Sequence, residues 1–517
     1  MADINLFTTK IQEGYTFAND KIILGGAMLD AQNVAGLQVC APLKTFNRHG
    51  LIAGATGTGK TKSLQHIAEQ LSQKGVPVLL MDIKGDLSGI SQPGVTSPRI
   101  EERHTKLGIE WKALTNAAEL LTISDEPGTR MRATVSEFGP VLLSKILELN
   151  DVQSGTISLL FKYCDDNKLP LLDITDLRKA LQYISQDGKD EIEKNYGLVS
   201  TQSVGTILRN IIRIEEQGAD KFFGETSFEV EDLLRLDDSG RGFINIMRLT
   251  DIQDKPLLFS TFMLCLMAEI YATMPERGDP DAPELVIFID EAHLIFNNAP
   301  KVLLDQVETM VKLIRSKGVG IFFVTQNPAD IPDAILGQLG FKLQHALRAF
   351  TAKDRKDIEK AAENYPITDF YKTDDLLTQL GIGEALVTVL NEKGIPSPLV
   401  HTMCCAPGSR MDVITPSEIN TMVANSKISK KYAETIDRES ASEILLKKLE
   451  AKEKEQEEIK KQEEIKKEEA KPERREKSVI EQAVNSSVGR TVVRELTRGL
   501  LGVLGIGSTR RKRSSWF

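Results

Sequence analysis

No Cys-x-x-Cys pair occurs among the five cysteines, positive charge is not in excess, and no basic N-terminal region is followed by an apolar core. No uninterrupted apolar run approaches the roughly 18 residues of a membrane span. Each absence removes a class of protein. Cys40, Cys164, Cys265, Cys404 and Cys405 are odd in number and lie mostly in apolar stretches, so buried reduced thiols are expected in place of disulfides or metal ligands. A formal net charge of -9 gives no global attraction to nucleic acid, and any DNA or RNA contact has to come from a local basic patch. Without a leader or an apolar span, the expected compartment is the cytoplasm.

What is present is a run of small residues after a short apolar stretch, HGLIAGATGTGKTK at 49–62. Its octet GATGTGKT fits G-x-x-x-x-G-K-[ST] and sits between a short strand (51–53) and a helical pattern (61–72), where that motif works. Gly54, Gly57 and Gly59 allow backbone conformations closed to other residues and turn N–H groups toward phosphate oxygens, while the helix N-terminus adds partial positive charge. The stretch Gly54, Ala55, Thr56, Gly57, Thr58, Gly59, Lys60, Thr61 and Lys62 is therefore the candidate phosphate cradle. Lys60 is placed to reach the β- and γ-phosphates, and the Thr61 hydroxyl to bind Mg²⁺.

Two later strand ends supply the other groups that phosphoryl chemistry needs. ELVIFIDEAH at 284–293 is an apolar strand that stops at two carboxylates. Asp290 is expected to support Mg²⁺ directly or through water, and Glu291 to orient or deprotonate the attacking water. VGIFFVTQ at 319–326 is another buried parallel strand, with Thr325 and Gln326 expected at the nucleotide edge. Gln326 reads as a γ-phosphate sensor, a water-positioning group or a plain strand-end amide. In DIKGDL, Asp82, Lys84 and Asp86 read either as groups behind the Mg²⁺ and phosphates or as a capped turn.

The chain divides by character. Residues 1–48 read as a short β-rich lead-in with strands at 21–25 and 36–40. Residues 49–90 and 241–415 alternate strands and helices, an α/β core of the doubly wound kind with a mainly parallel sheet. Between them, 91–240 reads as a mainly helical insertion, with amphipathic helices at 136–151, 175–184 and 204–217. Its Arg130, Arg132, Lys145, Arg178, Lys179, Arg209 and Arg213 form either a basic surface or a scatter of solvated charges. Residues 416–477, rich in Glu and Lys, read as a charged helical or disordered spacer. Residues 478–517 read as a basic amphipathic helix and tail suited to a protein partner, a membrane surface or nucleic acid.

Together, GATGTGKT, DIKGDL, IFIDEAH and FFVTQNP resemble the HerA/FtsK branch of P-loop ATPases. RMRATVSEFGPVLLSKILELND, LQHALRAFTAKD and GRTVVRELTRGLLGVLG are similar more narrowly to the bacterial YjgR-type HerA-like proteins. The resemblance covers nearly the whole chain. It implies a RecA-like core, ATP and Mg²⁺ as cofactors, ATP hydrolysis, a homo-oligomeric ring (a hexamer), and action on DNA or another polymer. It also implies an arginine supplied across a subunit interface, matched by Arg315 in IRSKGVG or Arg348 in HALRAF; either is otherwise an ordinary surface arginine. HerA proteins carry a sizeable β-barrel ahead of the phosphate loop, and 48 residues cannot supply an intact one, so the resemblance carries ATPase further than helicase. The competing reading is an ATP-dependent scaffold or switch that docks a partner through the C-terminal helix. Guanine specificity is not expected, because Asn167-Lys168 is followed by Leu-Pro and lacks the Asp that reads guanine.

Overall fold

Short apolar runs without a polar face become strands when both faces are covered, and four of them make the centre of this protein. The computed structural model describes residues 3–297, 301–433 and 438–469. In it β3 (Gly50–Ala53), β4 (Val78–Asp82), β8 (Leu285–Ile289) and β9 (Val319–Thr325) are buried along their whole length. The remaining strands are β1 (Lys21–Leu29), β2 (Gln32–Pro42), β5 (Ala118–Thr122), β6 (Thr129–Arg130), β7 (Ile244–Arg248), β10 (Phe341–Gln344), β11 (Glu384–Thr388) and β12 (Val400–Cys404). They form one 12-stranded sheet in the order β2-β1-β12-β11-β10-β3-β9-β8-β4-β7-β5-β6. From β10 to β6 every pairing is parallel, and the β2-β1-β12-β11 end joins antiparallel. The expected mainly parallel α/β sheet is the fold.

Phe322 is the hub of the packing around β3. Its ring meets Phe46 at 5.3 Å, Phe288 at 5.1 Å and Phe341 at 5.2 Å, which ties β8, β9, β10 and the 3-10 turn Leu43–Arg48 together. Burying one such ring contributes about 1.5–3 kcal/mol. The helix Pro256–Thr273 is long and apolar enough to cross a membrane by length and composition, yet it is 61% buried inside the fold. It packs against the helices Lys301–Ile314 and Val135–Ile146.

The structure differs from the sequence reading in four places. The β-rich lead-in expected before 48 opens instead with the helix Ile4–Tyr15, and its β1–β2 hairpin joins the main sheet and its core. Residues 91–240 are not all insertion, because β5 and β6 extend the sheet beside β7. The helix Pro98–Leu107 precedes these strands, and a helical run follows from Thr134, where capping boxes at Thr134 with Glu137, Asn150 with Gln153 and Asp173 with Asp176 start three helices. The basic residues of this region are largely committed: Arg178 pairs with Glu215 at 3.1 Å, Arg130 with Asp125 at 3.4 Å, and Arg132 donates to the Glu225 carbonyl at 3.0 Å.

The fourth difference concerns the spacer. The chain divides into compact units of residues 1–446 and 447–517, so no break falls at 416. Within the first unit, Tyr432 is buried and donates to Asp232 Oδ2 at 2.6 Å, and the Ser442 N–H donates to Asp176 Oδ1 at 2.8 Å. In the second unit the described part is the Glu/Lys-rich end of the helix Ala441–Glu469. The expected basic helix at 478–517 lies outside the described residues.

A Cβ at Gly320 would lie 2.1 Å from the Phe46 carbonyl oxygen, a backbone atom held by the Phe46–Phe322 stack. Gly320→Ala is expected to lower stability by about 2–3 kcal/mol through overpacking. A urea unfolding midpoint equal to that of the wild type would contradict this.

Candidate nucleotide site

Parallel strands end on one edge of a sheet, and here four of those ends carry the chemistry. Ala53 is in register with Thr325, and Ile289 with Phe323, so β9 lies between the strand that enters the phosphate loop and the strand that ends in Asp290 and Glu291. The loop is fastened to its neighbours through backbone. The Gly54 N–H donates to the Thr325 carbonyl at 3.2 Å, and the Ala55 N–H to the Ala346 carbonyl at 2.8 Å. Inside the loop, the Thr58 hydroxyl donates to the Ala55 carbonyl at 2.7 Å, and Lys60 Nζ to the carbonyls of Gly54 at 2.5 Å and Ala55 at 3.2 Å. Gly59, with φ +118°, caps the helix Lys60–Gln73 without a side chain, which leaves the N–H groups of Lys60 and Thr61 for an anion while that of Lys62 donates to the Gly59 carbonyl at 3.1 Å.

The acidic side is built by the turns after β4 and β8. Asp82 accepts from the N–H groups of Gly85 at 2.8 Å and Leu87 at 3.3 Å, the capped turn. The other two residues of DIKGDL reach the site: Asp86 Oδ2 accepts from the Thr61 hydroxyl at 3.3 Å, and Lys84 pairs with Glu291 Oε1. The second Glu291 oxygen lies 3.0 Å from His293 Nδ1. Glu291 takes φ +47°, uncommon for a residue with a side chain, as the chain turns from β8 into the helix His293–Asn297.

Burial and crowding perturb these groups in step. Burial first, then the ammonium of Lys84, pulls Lys60 down to about 8, partly offset by Asp290 and Asp86. Burial pushes Asp290 up to about 6, with Lys84 opposing and Asp86 adding to the rise. Burial and then Asp86 push Asp82 up to about 7. Asp290 Oδ2 and Asp86 Oδ1 are buried without a hydrogen-bond partner. The orphaned oxygens of Asp290 and of Asp86, whose other oxygen accepts from the Thr61 hydroxyl, fit a hard cation that takes its remaining ligands from phosphates and water. Among the described residues, no three His, Cys, Asp or Glu side chains are grouped to hold a metal by themselves.

Gln326 sits at this junction: its Oε1 accepts from the Thr56 hydroxyl at 3.3 Å. Thr325 does not face the edge as expected, because it is fully buried and its hydroxyl donates to Asp330 Oδ2 at 2.5 Å. Lys62 turns its ammonium to the Met411 carbonyl and to Gln65 Oε1 at 3.1 Å, so the structure assigns it to the strap after β12 and not to the phosphates. Arg348 is exposed, two residues beyond the Ala346 carbonyl that holds the loop, and its Nη1 donates to the Thr378 carbonyl at 3.4 Å. Arg315 is also exposed but precedes β9, at the opposite end of that strand from Gln326. It does not join the site of its own chain.

Two supports escaped the sequence reading. His345, buried just past β10, packs so closely that a Cβ on Gly54 would lie 2.5 Å from its Cβ. Burial lowers its pKa to about 4, so the ring is neutral. Its Nδ1–H then donates to the Glu384 carbonyl at 2.8 Å, and Nε2 accepts from the Ser63 hydroxyl at 3.0 Å. Gly383 braces the loop from the same side, its N–H donating to the Thr58 carbonyl at 2.9 Å. His345 lies in LQHALRAFTAKD, where the resemblance gave it no role, and Gly383 lies in none of the motifs named above.

A family model described as helicase HerA-like C-terminal matches residues 28–512. The DNA double-strand break repair helicase HerA of Sulfolobus acidocaldarius is 20% identical over 359 residues, covering 68% of this chain and 64% of that protein. The DNA import protein CedB of the same organism is 24% identical over 419 residues, covering 77% and 58%. The chain spans about three fifths of the length of these curated relatives. Among solved structures, the bacterial conjugative coupling protein TrwBdeltaN70 in its trigonal form with sulphate is similar in fold, with a TM-score of 0.51 at 14% identity over 79% of this chain and 94% of that one.

Lys60 carries its charge below about 8 and loses it as pH rises through that value. A polyphosphate anion favours the charged form, so binding above that pH takes up a proton and weakens with rising pH, by up to about tenfold per pH unit. Titration calorimetry of ADP in buffers of different ionisation enthalpy is expected to show this uptake between pH 8 and 9. An affinity independent of pH across that range would contradict it.

Proposed function

The chain belongs to the helicase HerA-like C-terminal family of P-loop ATPases, and from that membership we propose a cytoplasmic, Mg²⁺-dependent ATP hydrolase that works as an oligomeric ring, a hexamer, on DNA. The observation that carries the reading is the position of Gln326. It leaves β9 between the phosphate loop and the Asp290–Glu291 turn, and its side chain accepts from Thr56 of that loop. A side-chain amide between a phosphate cradle and a carboxylate base is what orienting a water requires.

The roles follow from the geometry. Backbone N–H groups of 54–61 and the Lys60 ammonium bind the phosphates. Glu291, rigid at a strand end and buried, takes the proton of the attacking water, and Gln326 holds that water in line. Thr61 and Asp290 would hold Mg²⁺, which supplies charge neutralisation at the β- and γ-phosphates. Closing such a site requires a cation from a neighbouring subunit, and both Arg315 and Arg348 are exposed enough to serve. The names of the relatives, a repair helicase and a DNA import protein, support DNA as the polymer.

Lys60→Ala is expected to abolish ATP binding, and Glu291→Gln to retain binding while lowering turnover by about 10²–10⁴. Phosphate release is expected to rise with double- or single-stranded DNA, and light scattering with ATP to give a multiple of the chain mass. Normal turnover in Glu291→Gln would overturn the hydrolase. DNA-independent turnover by a monomer would overturn the ring motor.

A further inference from the structure

Lys84 has no part in the mechanism above, yet its ammonium occupies the base. It pairs with Glu291 Oε1 while His293 Nδ1 lies 3.0 Å from Oε2, and the carboxylate, whose side chain is only 5% exposed, accepts no hydrogen bond at either oxygen. An ammonium standing on Oε1 blocks the approach of a water to that oxygen. The turn that carries Lys84 is fixed: Asp82 accepts from Gly85 and Leu87, and Gln253 Nε2 donates to the Ile83 carbonyl at 2.8 Å. The Lys84 side chain itself is 37% exposed on a four-carbon stem, so it is the part of the turn free to move.

A second observation gives that movement a direction. Lys60, folded onto the Gly54 and Ala55 carbonyls of the phosphate loop, and Lys84, on Glu291, put two ammonium groups at the phosphate edge of the sheet. Glu291 offers Lys84 one negative charge, whereas a terminal phosphate carries about two. A diphosphate ends one group short and offers no such competitor.

We propose that Lys84 is a positioning residue that reads the terminal phosphate of the bound nucleotide: it holds Glu291 in an ion pair and moves to that phosphate, which releases Glu291 to orient water. The proposal rests on the nucleotide-site reading and adds a residue to it. Because the ammonium exchanges one anion for another, Lys84 is paired at both stages, and the released Glu291 carboxylate keeps His293 Nδ1 3.0 Å from Oε2. The base is thereby freed only when there is a bond to hydrolyse. Lys84 is a positioning residue because it acts on the attacking water through Glu291.

The test is titration calorimetry on the full chain with Mg²⁺, using ADP and a non-hydrolysable ATP analogue. Lys84→Met is expected to leave ADP affinity within about twofold and to weaken the analogue about tenfold, what one charge-assisted hydrogen bond contributes. Lys84→Arg is expected to restore most of the loss. Glu291→Gln removes the competing charge and is expected to tighten the analogue severalfold in the wild-type background but not in Lys84→Met, a non-additivity that only direct coupling produces. Equal weakening of ADP and analogue, or additive effects of the two substitutions, would overturn the proposal and leave Lys84 as a structural ion pair. Absence of binding of either nucleotide by the wild type would overturn the nucleotide site itself, and the proposal with it.

Discussion

The phosphate loop owes its shape to two backbone hydrogen bonds that continue the β3 ladder past its last residue. Gly54 N–H reaches the Thr325 carbonyl on one side, and Ala55 N–H the Ala346 carbonyl on the other. Since β3 is flanked by β9 and β10, those bonds fix where the loop begins relative to both neighbours. Thr325 precedes Gln326, and Ala346 follows His345. The bonds that aim the loop therefore also set the Gln326 amide and the histidine against which Gly54 packs. Such preorganisation costs no rearrangement at the moment of reaction.

The same confinement concentrates charge. Lys60 and Lys84 share a pocket with Asp86, Asp290 and Glu291, and burial pushes Asp290 up and Lys60 down, each toward its neutral form. A site that strains against its own charges gains most from a ligand that brings both anion and cation. A polyphosphate with a divalent metal satisfies the lysines and the orphaned carboxylate oxygens together. Buried imidazole at His345 adds no charge to this balance and serves as a neutral strut.

Local sequence carried the site well because its parts are contiguous motifs at strand ends. GATGTGKT, IDEAH and VTQ each announce themselves, and buried parallel strands read plainly as apolar runs. What escaped was set by pairing between distant segments. β5 hides behind Glu119, a buried carboxylate that Arg235 satisfies at 3.0 Å from more than a hundred residues away. The partnership of Lys84 with Glu291 spans a still longer gap, and DIKGDL alone left cap and site readings open until Asp82 proved to be the cap and Asp86 the contact to Thr61. The helix Ile4–Tyr15 is a different case. Asp3 caps it, and Phe7, Ile11 and Tyr15 fall on one stripe, so the signal was present but shorter than the β pattern that follows.

The loop at 54–61, Asp290, Glu291 and Gln326 are expected to enclose the phosphates of a single nucleotide. A crystal structure of the full chain with Mg²⁺ and a non-hydrolysable ATP analogue tests it most directly. The expected result is a triphosphate along residues 54–61, with the metal between Thr61 and Asp290 and the terminal phosphate facing Gln326 and Glu291. A nucleotide bound elsewhere, or phosphates in the loop with the metal away from Asp290, would contradict it.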